Sequence, residues 1–117
     1  LVVVTDSDWA RCRVTRRSTS GAVLFVAGCP QGHICRTQGA TALSSAEAEF
    51  YAAAGGTAEA MYLTRIYEFF GFPLSFELQL DSLAAIGILQ RQGAGGVRHI
   101  AVKCLWMQGL VKEKLLQ

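Results

Sequence analysis

Charge is scarce in this chain of 117 residues: 17% of them are charged, 51% are hydrophobic, and Pro occurs only twice. So little charge, combined with twelve Gly, excludes a solvated disordered tail and a heptad rod, and leaves a single α/β globule with one core. Long apolar runs are missing too. The longest uncharged stretch, Ser18 to Cys35, is broken by Gly, Pro30 and Gln31, short of the roughly 18 to 20 apolar residues a membrane span needs. No transmembrane segment and no membrane partner are therefore expected. The chain opens on Leu1-Val2-Val3-Val4, with neither Met nor a basic region ahead, as an excised piece without a signal peptide would. Its four cysteines (12, 29, 35 and 104) form no C-x-x-C pair and are too sparse to staple a mini-protein. A reducing, intracellular compartment and mostly buried thiols follow. Cys29, His33 and Cys35 would offer three soft ligands, but Pro30-Gln31-Gly32 between them reads as a turn joining two strands, which disfavours zinc.

The charge that is present is segregated. Residues 1–38 carry five Arg against Asp6 and Asp8, and residues 91–117 carry five Lys or Arg against Glu113. Residues 39–90 carry six carboxylates against Arg65 alone. An acidic centre between two cationic flanks suits a chain that grips a polyanion by its phosphates and gathers carboxylates around a metal.

Two β-branched runs, Leu1–Thr5 and Ala22–Ala27, predict strands, the second preceded by a polar turn Ser18–Gly21. A weaker strand, His33–Gln38, lies at hairpin distance beyond a turn at Cys29–Gly32, giving an antiparallel three-stranded meander. The period then changes. From Ser44 to about Phe70 there is no Pro, and small or apolar residues recur at helical spacing from Glu49 (Ala52, Ala53, Gly56, Ala60, Leu63), so one long helix is expected, stopped by Gly71-Phe72-Pro73. A fourth strand, Phe76–Leu80, a helix over Ser82–Gln92, a loop at Gln92–Gly96 and a short helix over Ile100–Gln108 complete a mixed-sheet order.

Asp6 and Asp81 each follow an apolar strand and precede a Ser. If those strands are adjacent and parallel, joined by a right-handed crossover through the long helix, both carboxylates emerge at one sheet edge, about 4.8 Å apart in strand spacing. Such a pair can bridge a divalent cation. An isolated Asp in these places also serves as a helix cap or an Asx-turn. In the long helix, Ser44 and Glu47 form a capping box in which Glu47 reaches back to the cap amide. Glu49 lies about 200° further round and heads the sheet-facing stripe, so it points inward, where a carboxylate needs a cation or donors.

The blocks T-D-S-D-W-A (5–10), R-S-T-S-G (17–21), Gln38, L-S-S-A-E-A-E-F-Y-A (43–52), D-S-L-A-A-I (81–86) and R-H-I (98–100) occur in one order over essentially the whole chain. In these blocks the chain resembles the ribonuclease H domain of copia-type retrotransposon polyproteins. That resemblance implies a ribonuclease H-like α/β fold with a five-stranded mixed sheet and flanking helices, the fifth strand and last helix truncated here. It also implies a single domain over residues 1–117 that lies downstream of a reverse transcriptase, cuts the RNA strand of an RNA–DNA hybrid, and works in a cytoplasmic particle or the nucleus. By the same likeness Asp6, Glu49 and Asp81 match three of the family's four metal-binding acids, holding two Mg²⁺ or Mn²⁺ ions in a complete domain. Substrate contacts would come from Arg16, Arg17, Arg36 and Arg98 on phosphates, and from Ser20 and Gln38 near RNA 2′-hydroxyls. Trp9 and Trp106 are expected in the core.

The likeness has gaps. The fourth acid, in an A-D-x-x-T-K segment, does not occur before Gln117, Ser82 stands where Asn is usual, and Ala101 stands where Asp usually follows His-Ile. A weakly active or inert module with a structural or hybrid-binding role is the alternative expectation. A transposase or integrase core shares the acid logic, but the L-S-S-A-E-A-E block speaks against it.

Overall fold

A computed structural model describes residues 1–91 and 100–113. The chain runs β1 (Val2–Asp8), β2 (Thr19–Val26), β3 (Cys29–Thr37), α1 (Ser45–Phe69), β4 (Glu77–Gln79), α2 (Leu83–Gln90) and α3 (Ala101–Lys112). The four strands form one mixed sheet in the order β3-β2-β1-β4. β1 pairs antiparallel with β2 and β2 with β3, whereas β4 lies parallel to β1 with Val2, Val3 and Val4 opposite Glu77, Leu78 and Gln79. The expected meander and the parallel fourth strand are both present.

Alternation along β1 decides which side is covered. Val3 and Thr5 are buried against α1, while Val4 between them is 40% exposed. The helix lies close because residue 56 is Gly: a Cβ there would sit 2.6 Å from Thr5 Cγ2 and 3.1 Å from Val3 Cγ1. One core then forms from Val3, Ala22 and Leu24 of the sheet, Phe50, Ala53 and Ala60 of α1, and Ile88, Leu89, Cys104, Met107 and Leu110 of the two later helices. α2 and α3 pack together, fastened by a hydrogen bond from Gln108 Nε2 to the Ile88 carbonyl at 2.9 Å.

Several elements depart from expectation. The β2–β3 turn falls at Ala27-Gly28, both with positive φ (49° and 79°), rather than at Cys29–Gly32. Two successive left-handed residues match the strand twist of a tight hairpin. Pro30 is thereby placed inside β3, an edge strand where its missing N–H is tolerated, and the register shift between Leu24 and Phe25 absorbs Gln31. β1 continues past Thr5 to Asp8 because β2 starts at Thr19 and pairs with it, the Thr19 amide donating to Asp8 Oδ1. α3 runs to Lys112 rather than stopping at Gln108. The expected loop over Gln92–Gly96 lies outside the described residues.

Two burial expectations are corrected. Cys12, Cys29 and Cys35 are exposed and only Cys104 is buried; among the described residues β3 is an edge strand, and Cys12 sits in the β1–β2 loop. Trp9 and Trp106 are 53% and 38% exposed, Trp9 held at the rim by its Nε1–H, which donates to the Ala42 carbonyl at 3.2 Å. Among the described residues no helix is long and apolar enough to cross a membrane.

Candidate metal centre

Asp6, Glu49 and Asp81 come together. Each offers a carboxylate oxygen, and the three atoms lie within 4.8 Å of one another. Among the described residues they are the only group of three or more potential ligands so placed. The Cys29, His33 and Cys35 set forms no such group.

Each acid arrives by a separate local device. Continuing the β1–β4 register two residues beyond the Val4–Gln79 pair sets Asp6 level with Asp81, just where β4 ends. The chain after Asp81 turns into α2, and the cap of that helix is Ser82, whose Oγ accepts from the Ala85 amide at 3.2 Å. The capping role that Asp81 was a candidate for is thus filled by its neighbour. Glu49 comes from the first turns of α1, which begins where Ser44 Oγ accepts from the Glu47 amide at 3.1 Å. Glu47 does reach back, but its Oε2 accepts from the amide of Leu43, one residue before the cap.

Glu49 is 9% exposed, whereas Asp6 and Asp81 face solvent. Its Oε1 accepts from the Ser7 hydroxyl at 2.7 Å and the Ser7 amide at 3.2 Å. Its Oε2 is buried and has no hydrogen-bond partner. Burial pushes the Glu49 carboxyl above its ordinary value; the Ser7 hydrogen bonds pull it back, and the negative charges of Asp6 and Asp81 push it up again. A desolvated carboxylate oxygen without a donor, beside two further acids, is a costly arrangement that a cation relieves. The donor set is all oxygen, the preference of hard divalent ions such as Mg²⁺ and Mn²⁺, and three protein ligands leave coordination positions for water or phosphate. The residues fit such an ion. A shallow depression of about 300 Å³ lined by Val4, Thr5, Asp6, Gln79, Leu80 and Asp81 includes two of the three acids.

No family model, no curated protein and no solved structure matches the chain.

The expected substrate contacts divide into two groups. Arg16 and Arg17 are exposed on the β1–β2 loop, together with Arg11 and Arg13. That loop leaves β1 directly after Asp8, so its four cations stand at the acid end of the sheet. It is closed by the Arg16 amide on the Cys12 carbonyl at 2.7 Å, with Arg16 itself at φ 56°. Ser20, Arg36 and Gln38 instead line a separate cleft of about 520 Å³ between the β2–β3 face and α1. There Gln38 Nε2 donates to Ser20 Oγ and to the Ala48 carbonyl, both at 2.9 Å, and Arg36 pairs with Glu59 at 2.9 Å. Arg98 lies outside the described residues.

Sequence reasoning missed three residues here. Ser7 stands between two aspartates, and the alternation Val3, Thr5, Ser7 is the signal that puts it on the α1 side. Lys103 and Tyr51 also line the cleft, the Lys103 ammonium 4.6 Å from the Tyr51 ring centroid. Their distance apart in the chain left no local signal.

Proposed function

We propose that this chain is a ribonuclease H-like nuclease domain whose acids Asp6, Glu49 and Asp81 hold Mg²⁺ or Mn²⁺ and cleave the RNA strand of RNA–DNA hybrids. The observation that carries this reading is the convergence of three carboxylate oxygens within 4.8 Å from two parallel neighbouring strands and a helix. The strand order β3-β2-β1-β4 with α1 entered after β3 agrees with the fold expected from the copia-type likeness. The four arginines of the β1–β2 loop support a polyanionic substrate, since each phosphate neutralised releases counterions.

The divalent ions, when bound, would supply Lewis-acid stabilisation of the phosphoryl oxygens and activation of the attacking water. The chain's own part is to place three ligands on rigid elements and to keep Glu49 out of bulk water. Arg11, Arg13, Arg16 and Arg17 would then draw the backbone of the hybrid toward the acid end of the sheet. Such a domain would act next to the reverse transcriptase of the same polyprotein, inside the cell.

The test is cleavage of a strand-labelled RNA–DNA hybrid with Mg²⁺ or Mn²⁺ by a chain extended through an A-D-x-x-T-K segment. The RNA strand alone is cut, and Asp81→Asn abolishes the cut. Cleavage that survives Asp81→Asn overturns the catalytic assignment.

A further inference from the structure

One residue touches two of the three acids. The Ser7 amide donates to Asp6 Oδ1 at 2.9 Å and to Glu49 Oε1 at 3.2 Å, and the Ser7 hydroxyl donates to that same Glu49 oxygen at 2.7 Å. Together these donors engage one oxygen of Glu49 and leave the other, buried and without a partner, as the atom free for a cation. A glutamate side chain has three rotatable bonds, and ordering it costs rotamer freedom. Fixing it before the ion arrives removes that cost from the binding step. Hydrogen-bond donors behind a ligating carboxylate set its orientation and so tune affinity.

We infer that Ser7 is a positioning residue of the metal centre, its hydroxyl locking Glu49 so that Oε2 faces the ion. This rests on the metal-centre reading above. Ser7 lies in β1, on the side that faces α1, between the buried Thr5 and the end of the strand. A β-branched side chain is therefore compatible with its backbone, and Thr and Val form an isosteric pair that differ by the hydroxyl.

The experiment is calorimetric titration of Mn²⁺ into the wild-type chain and its Ser7→Thr, Ser7→Val and Ser7→Ala variants, with thermal melts of each metal-free protein as a check on folding. The expected result is that Ser7→Thr binds Mn²⁺ like the wild type, whereas Ser7→Val and Ser7→Ala bind about 10-fold more weakly with melts that stay cooperative. Unchanged affinity in Ser7→Val, or equal loss in Ser7→Thr and Ser7→Val, overturns the inference while leaving the metal centre standing. A wild-type chain that binds no Mn²⁺ overturns both.

Discussion

Replacing Glu49 by Gln tests whether the acid cluster is built for a cation rather than for the fold. Two unit charges 4.8 Å apart, the widest separation in the cluster, repel by about 1 kcal/mol in water and about 3.5 kcal/mol at an effective dielectric of ~20. Glu49 feels both Asp6 and Asp81 and is itself desolvated. Against this, Gln keeps an acceptor for Ser7 but loses the charge assistance, worth about 1 kcal/mol. The metal-free Glu49→Gln chain should then be more stable than the wild type by about 1–2 kcal/mol at pH 7.5, a rise of roughly 4–10 °C in melting temperature. The pH dependence carries a definite sign. Because the folded-state value of Glu49 is raised, its favourable contribution is fully present below the ordinary glutamate range and is lost as pH rises through the raised value. The gap between variant and wild type therefore opens with rising pH and is absent in acid. Adding Mg²⁺ reverses the order: at 100 times its dissociation constant it stabilises the wild type by about 2.7 kcal/mol and the variant far less. Scanning calorimetry between pH 4 and 8, with and without Mg²⁺, reads all of this. A Glu49→Gln protein less stable than the metal-free wild type, or stabilised as much by Mg²⁺, refutes the reasoning.

The packing and the thiols give two further predictions. Gly56→Ala places a Cβ 2.6 Å from Thr5 Cγ2 and should cost about 1–3 kcal/mol in a denaturant melt, whereas Gly55→Ala meets nothing within 4 Å and should gain about 0.5–1 kcal/mol. Equal effects would mean that α1 does not rest on β1 at residue 56. Cys12, held near pKa 7 chiefly by the Thr15 side chain and then by the Thr15 amide, should be alkylated by iodoacetamide with a midpoint near pH 7. Mass spectrometry after brief labelling measures this, and Thr15→Val should move the midpoint upward.

Much of the acid centre was legible because its parts are set by local chemistry. Ser44 with Glu47 at one end and Gly71-Phe72-Pro73 at the other bound α1 within a residue, and the 3.6-residue period alone turned Glu49 toward the sheet. An aspartate after each of two apolar runs was enough to suggest adjacent parallel strands. The hairpin was misplaced because Pro30-Gln31-Gly32 is a louder turn signal than Ala27-Gly28, yet an edge strand can carry that Pro, and the ladder continues past it. Thiol burial differs for a related reason: residue type predicts burial only where a layer covers the strand, and among the described residues β3 is the sheet's edge, with Cys29 and Cys35 exposed on it. The cleft of Ser20, Gln38, Tyr51 and Lys103 is assembled from four elements or loops with no shared periodicity, so only coordinates bring it together.

In the proposed metal centre, three acids from separate elements share one divalent ion. Crystals of the chain grown with Mn²⁺ and measured at the manganese absorption edge address it directly. An anomalous peak is expected about 2.0–2.3 Å from an oxygen of each of Asp6, Glu49 and Asp81. Carboxylates splayed apart with manganese elsewhere, or no peak at saturating Mn²⁺, would contradict it.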